Sequence, residues 1–210
     1  MKKLLAIASL AGLAYLVFAG ISHVAAQYLV GAMPDDAVVL PVAPIQQGRV
    51  TSCGEAAIVM AHNYAHPDSP LDEASVIEYA ISQGYYTPEL KPFTSPANMV
   101  RIVQGYGDNY STGEVINADQ GLVLLLLNLE SGNPVIIDVR TRFNDPAAAA
   151  HFVVVVGISV GPGNSITVLY NDPFTGRGEA SPWEGEDGLW NAWQHNDDPG
   201  GAGWWLVIPR

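Results

Sequence analysis

The apolar pattern of this chain changes character once, near Gly132, and that change restricts the fold more than any other feature. Before it, residues 54–65 are apolar almost all round, as in a buried central helix, and 71–82, 95–103 and 119–129 read as three more helices. After it come PVIIDVR (134–140), FVVVVGISV (152–160), SITVLY (165–170) and WWLVI (204–208). These are β-branched or aromatic runs divided by Gly, Pro, Asn and Asp, the pattern of strands. A short helix is expected at 188–194. Helices followed by strands predict an α+β fold, with an N-terminal helical lobe packed on a C-terminal antiparallel sheet. The Pro-rich segment 36–48 is expected to be extended, because each proline turns its predecessor away from helix. The leucine run in 119–129 is too short for a membrane span.

With 210 residues, 49% of them hydrophobic, and five Trp and nine Tyr, the chain can bury the core of a single domain and is not disordered. A formal net charge of -12 repels phosphate backbones and anionic lipid heads, which excludes nucleic acid as a partner. The N-terminus pairs Lys2 and Lys3 with an uncharged stretch over residues 4–21, and Val24 and Ala26 suit the -3 and -1 positions of a signal-peptidase site. Residues 1–26 are therefore expected to be a signal peptide, or residues 4–21 a retained membrane anchor; in both cases the rest is extracytoplasmic. Contact with a membrane is expected only through that segment, if it stays uncleaved.

An exported chain usually pairs its cysteines, and this one has a single Cys53, in the stretch QQGRVTSCGEAAIVMAHNY. Ser52 offers a cap for the helix that follows, and a thiol at a helix N-terminus is placed for activation. A thiolate needs an imidazole as base and that imidazole needs an acceptor. His62 and His66 lie more than two turns along the Cys53 helix, and His195 lies in a loop. His151 opens the strand FVVVVGISV, where a rigid element would position it. Of three Asn/Asp–Pro turns, only the one at Asp172 ends a strand able to lie beside that of His151; Asp145 and Asp198 read as turn residues. Asn171 should face the other way. The Cys53 backbone N–H and an upstream amide, Gln46 or Gln47, are candidate oxyanion donors, and spacing alone does not choose between the glutamines.

The string Q-x5-C-G at 47–54, then HFVVVVG, then YNDP, resembles the papain-fold cysteine peptidases of the bacteriocin-processing, double-glycine type, in their standalone form without transporter domains. The resemblance covers roughly residues 38–208 and selects Gln47, because that family's glutamine lies six positions before its cysteine. It implies a papain-like domain and peptide-bond hydrolysis by Cys53, His151 and Asp172, with Gln47 in the oxyanion hole. A peptide or protein is the implied partner, and no cofactor or metal is implied. An exported scaffold without turnover and a transglutaminase-like thiol acyltransferase are the alternative readings. One departure is Glu55, where the family more often has an uncharged residue; an anion there would oppose a nearby thiolate.

Two further features have simpler readings. His62 and His66 share one helix face, but Asn63 stands where metalloproteases carry their glutamate, so packing or surface exposure is expected rather than a metal. Asp197 and Asp198 lack the alternating oxygen ligands of a calcium loop. The five tryptophans read as packing residues.

Overall fold

The computed structural model describes residues 37–210, so the expected signal or anchor segment lies outside the described residues. Among the described residues no helix is long and apolar enough to cross a membrane. The chain enters through a short strand, β1 (Val38–Val39), and then forms α1 (Cys53–Ala65), α2 (Glu73–Ser82) and α3 (Pro96–Gly105). Asp72 and Ser95 cap the second and third of these by accepting the Ser75 and Asn98 N–H groups, which sets their start points. Next come β2 (Ser111–Glu114) and α4 (Ala118–Glu130), the latter capped by Asn117. The remainder is β3 (Val135–Arg140), β4 (Ala150–Gly161), β5 (Ser165–Asp172), β6 (Arg177–Pro182), α5 (Leu189–Gln194) and β7 (Trp204–Val207).

The strands form one antiparallel seven-stranded sheet of order β2-β7-β3-β4-β5-β6, with β1 paired to β4. The fold is α+β and papain-like. The sheet is apolar on both faces, which explains the unbroken run of FVVVV in place of simple alternation. Ile136, Phe152, Val154 and Leu206 meet α1, α2 and α3 on one face. Val135, Ile137, Val153 and Val155 meet α4 and α5 on the other. The fourth helix thus belongs to the back of the sheet and not to the lobe formed by the first three. A sheet with two apolar faces needs a second covering layer, and α4 supplies it.

Strands β2 (STGE) and β6 (RGEASP) are polar and occupy the two edges, where one side faces water. They carry no apolar run, so the sequence does not mark them as strands. Helix α1 is buried almost throughout and runs through the centre of the front core. Its second residue must be small: a Cβ on Gly54 would come within 2.7 Å of Met99 Sδ and 3.3 Å of Phe152. That close approach brings the start of α1 against the sheet.

Candidate active site

Cys53 is the first residue of α1 and is half-buried. Ser52 precedes it, yet its hydroxyl makes no hydrogen bond to the helix. That hydroxyl accepts the Arg49 N–H at 3.1 Å and faces Glu73 Oε1 at 2.7 Å. Glu73, the first residue of α2, also accepts the Gly48 N–H. The expected side-chain cap is thus turned back to brace the 47–52 loop. The first N–H groups of a helix have no intrahelical acceptor, and here no hydroxyl covers them. They present a partial positive charge beside the thiol.

His151, the second residue of β4, is 6% exposed. Its Nε2 lies 2.7 Å from Asp172 Oδ1, at the end of β5. Antiparallel pairing of β4 with β5 in a register that sets Val154 against Asn171 brings the two side chains together. With Nε2 committed to Asp172, Nδ1 is the nitrogen left for Cys53. Burial opposes the charged imidazolium, but the Cys53 charge, the Asp172 hydrogen bond, the Cys53 hydrogen bond and the Asp172 charge outweigh it and raise the His151 pKa to about 10. For Asp172 burial also pushes upward. The His151 hydrogen bond and charge, with the Phe174 and Thr175 N–H groups, overcome it and hold the carboxyl below its ordinary value. Asn171 points the opposite way and donates to the Val42 carbonyl at 2.9 Å.

Gln47 is tied to the same turn, its backbone N–H donating to Pro173 O at 2.8 Å. Its side-chain Nε2 donates to the Arg49 and Val50 carbonyls at 2.7 and 2.8 Å, while Oε1 is buried with no hydrogen-bond partner among the described residues. Both amide hydrogens are therefore directed into the residue's own loop. Gln46 is exposed.

Glu55 departs from the thiolate-opposing anion expected at this position. It is fully buried, accepts the Thr94 hydroxyl at 2.6 Å, and is pushed by burial to a pKa of about 7. On the acid side of neutrality it is uncharged and offers the thiolate no opposition.

Beside the thiol lies an open cleft, lined among others by Thr51, Lys91, Phe93, Ala150, Phe152 and Asp198. Lys91 of the helical lobe approaches Asp197 of the sheet lobe at 3.9 Å. Asp198 is thus more than a turn residue, because it faces both the cleft and the buried Asp138 of β3. Burial and the charges of Asp198 and Cys53 drive the Asp138 carboxyl well above its usual range. A lone acid inside an apolar strand gave no spacing signal, and sequence reasoning missed it. Asp145 stays in its turn, bonded to Arg142 and the Ala147 N–H, and His195 is exposed. Trp183, Trp190 and Trp193 pack against one another behind the sheet, Trp193 edge-on to the other two, and Trp204 packs edge-on against Phe152.

A helix-borne cysteine facing a sheet-borne His–Asp pair, across a cleft between lobes, is the arrangement of the papain-like cysteine peptidases. The profile of the Peptidase_C39 like family matches residues 39–197, and the chain belongs to that family. The membership implies a cysteine peptidase. No curated protein matches the chain.

Proposed function

We propose that this protein is an extracytoplasmic thiol peptidase that hydrolyses peptide bonds with Cys53, His151 and Asp172. The observation that carries the reading is the 2.7 Å His151–Asp172 contact on an imidazole that also interacts with Cys53. The Cys53 thiolate attacks the scissile carbonyl. Imidazolium His151 then gives its proton to the leaving amine, and a thioester remains. Neutral His151 next takes a proton from water, whose oxygen attacks the thioester and releases the acid and the thiolate. Asp172 keeps the ring oriented throughout. The uncapped Cys53 N–H is one oxyanion donor. Gln47 becomes the second when one of its amide hydrogens leaves a loop carbonyl for the developing charge. Export is supported by the paired lysines, the uncharged stretch over residues 4–21 and the Val24/Ala26 site.

The test is digestion of a peptide library by the purified full chain, with Cys53→Ala as control, read by mass spectrometry. New termini that vanish in the control support hydrolysis. Products joined to an added amine would shift the reading to acyl transfer. Intact peptides, combined with iodoacetamide labelling of Cys53 that is indifferent to His151→Ala, would overturn it.

A further inference from the structure

At the far end of α1 from Cys53, nine residues and roughly 13 Å along the helix, a second polar cluster is buried. His62 and His66 stand one turn apart, with ring centroids 4.9 Å from each other. Asp108, in the turn between α3 and β2, reaches both: His62 Nδ1 is 2.8 Å from Asp108 Oδ2, and His66 Nε2 is 3.4 Å from Asp108 Oδ1. One ligand atom from each residue can be chosen so that all lie within 4.8 Å of one another. The His62 and Asp108 side chains are 7% and 6% exposed, and His66, at 37%, borders solvent.

Two features mark these three side chains as a donor set that a cation would complete. First, His62 Nε2 lies 3.0 Å from the Ser69 carbonyl, an acceptor only, so the ring proton belongs on Nε2. In the neutral ring that leaves the Nδ1 lone pair aimed at a carboxylate oxygen, an arrangement relieved by a second ring proton or by a metal ion. Second, His66 Nε2 is buried and makes no hydrogen bond among the described residues, its near charge being Asp108 Oδ1 at 3.4 Å. A backbone carbonyl that fixes a histidine tautomer through its other nitrogen is a common support for a metal-bound imidazole.

We propose that His62 Nδ1, His66 Nε2 and Asp108 form a binding site for a divalent transition metal, zinc being the best match to an N2O donor set. The fourth position would be open to water on the His66 side. Ligand atoms around tetrahedral zinc sit about 3.3 Å apart. The two short contacts fall on different oxygens of Asp108 and the ligand atoms spread over as much as 4.8 Å, so the side chains must draw in by roughly an ångström to close on one ion. The ion would clamp the end of α1 to the α3–β2 turn. Its role is structural, since the site is separated from Cys53 by most of the helix. Asn63 in place of a glutamate leaves it without the general base of a metallopeptidase.

The test uses the full chain carrying Cys53→Ala, so that the thiol cannot bind the metal. After stripping with chelator, zinc is titrated against a chromophoric competitor, and thermal unfolding is followed with and without zinc. One zinc per chain is expected, with a rise in Tm. Adding His66→Ala or Asp108→Asn should weaken binding by roughly 100-fold and remove the rise, while the metal-free Tm stays near that of the parent. His66 is chosen because it borders solvent, and Asp108→Asn because it keeps the shape of a side chain as buried as His62. Cobalt should give the visible absorption of a tetrahedral site in the parent only. The proposal fails if the parent takes up no stoichiometric zinc, if both added variants bind as tightly as the parent, or if His151→Ala abolishes uptake. In each case a plain His–Asp ion pair accounts for the cluster.

Discussion

The helical lobe and the cleft each contain a buried histidine against an aspartate, at 2.8 Å for His62–Asp108 and 2.7 Å for His151–Asp172. The histidines are equally buried. What separates the pairs is the partner of the remaining ring nitrogen. In His151 it faces a thiol, so the ring can pass a proton. In His62 it faces the Ser69 carbonyl, an acceptor that favours a proton on Nε2 and, on the proposal above, leaves the aspartate-facing nitrogen as a ligand. On the roles proposed above, the same dyad serves proton transfer in one place and coordination in the other, and its second neighbour decides which.

The largest effect that would break this comparison is on the proton-transfer side. His151→Ala should lower peptide hydrolysis by roughly 10⁴-fold while the chain stays folded, as checked by kcat/KM and circular dichroism. A loss below tenfold would place His151 outside the chemistry. Asp172→Asn should cost roughly 10³-fold. It should also move the alkaline limb of the rate profile to lower pH, since it removes the charge that helps hold His151 near 10. A raised folded pKa means that the His151 ion pair stabilises the fold below about 6.5 and is lost as pH rises through about 10. An unmoved alkaline limb in Asp172→Asn would assign that limb to another group.

Glu55 extends the comparison to a buried carboxyl with a hydroxyl partner and no imidazole. Asp172, held below its ordinary value, adds stability that is lost as pH falls. For Glu55 the sign reverses. Burial raises its pKa from 4.5 to about 7, so the native chain keeps a proton that the unfolded chain has released across that window. Stability should fall by about 3 kcal/mol from pH 4.5 to 7 on this account. Glu55→Gln should abolish that fall in urea unfolding at the two ends of the window. Equal slopes for both proteins would mean that Glu55 is not the titrating group.

The front of the molecule was legible in the sequence because its signals are local. An apolar helix after Cys53, a histidine opening an apolar run and an aspartate in an Asp-Pro turn each stand in a short window. The rest depends on contacts that no window contains. Asp108 is 46 positions from His62, in GYGDNY, which carries no metal spacing. Asp138 lies among apolar strand residues, and what matters about it, Asp198 and the cleft, comes from a loop 60 residues later. The edge strands are polar because water solvates their outer side, and α4 has the same composition whichever face of the sheet it covers.

The smallest effect concerns Gln47, whose spacing to Cys53 fits the family while its amide hydrogens are engaged with Arg49 and Val50. A free oxyanion donor is typically worth 10²–10³-fold in kcat. A donor that must first give up a loop carbonyl returns only the difference between two hydrogen bonds, so Gln47→Ala should lower kcat by about tenfold. The split between kinetic constants sharpens the assignment. An oxyanion donor acts in the transition state, so kcat falls and KM holds. A brace for the 47–52 loop would instead displace the substrate-binding wall, raising KM and lowering Tm with kcat little changed. Gln47→Glu separates the two further, because a carboxylate accepts where the oxyanion needs a donor and repels the Arg49 and Val50 carbonyls as well. If it matches Gln47→Ala in kcat but has a lower Tm, the loop and the oxyanion draw on the same amide.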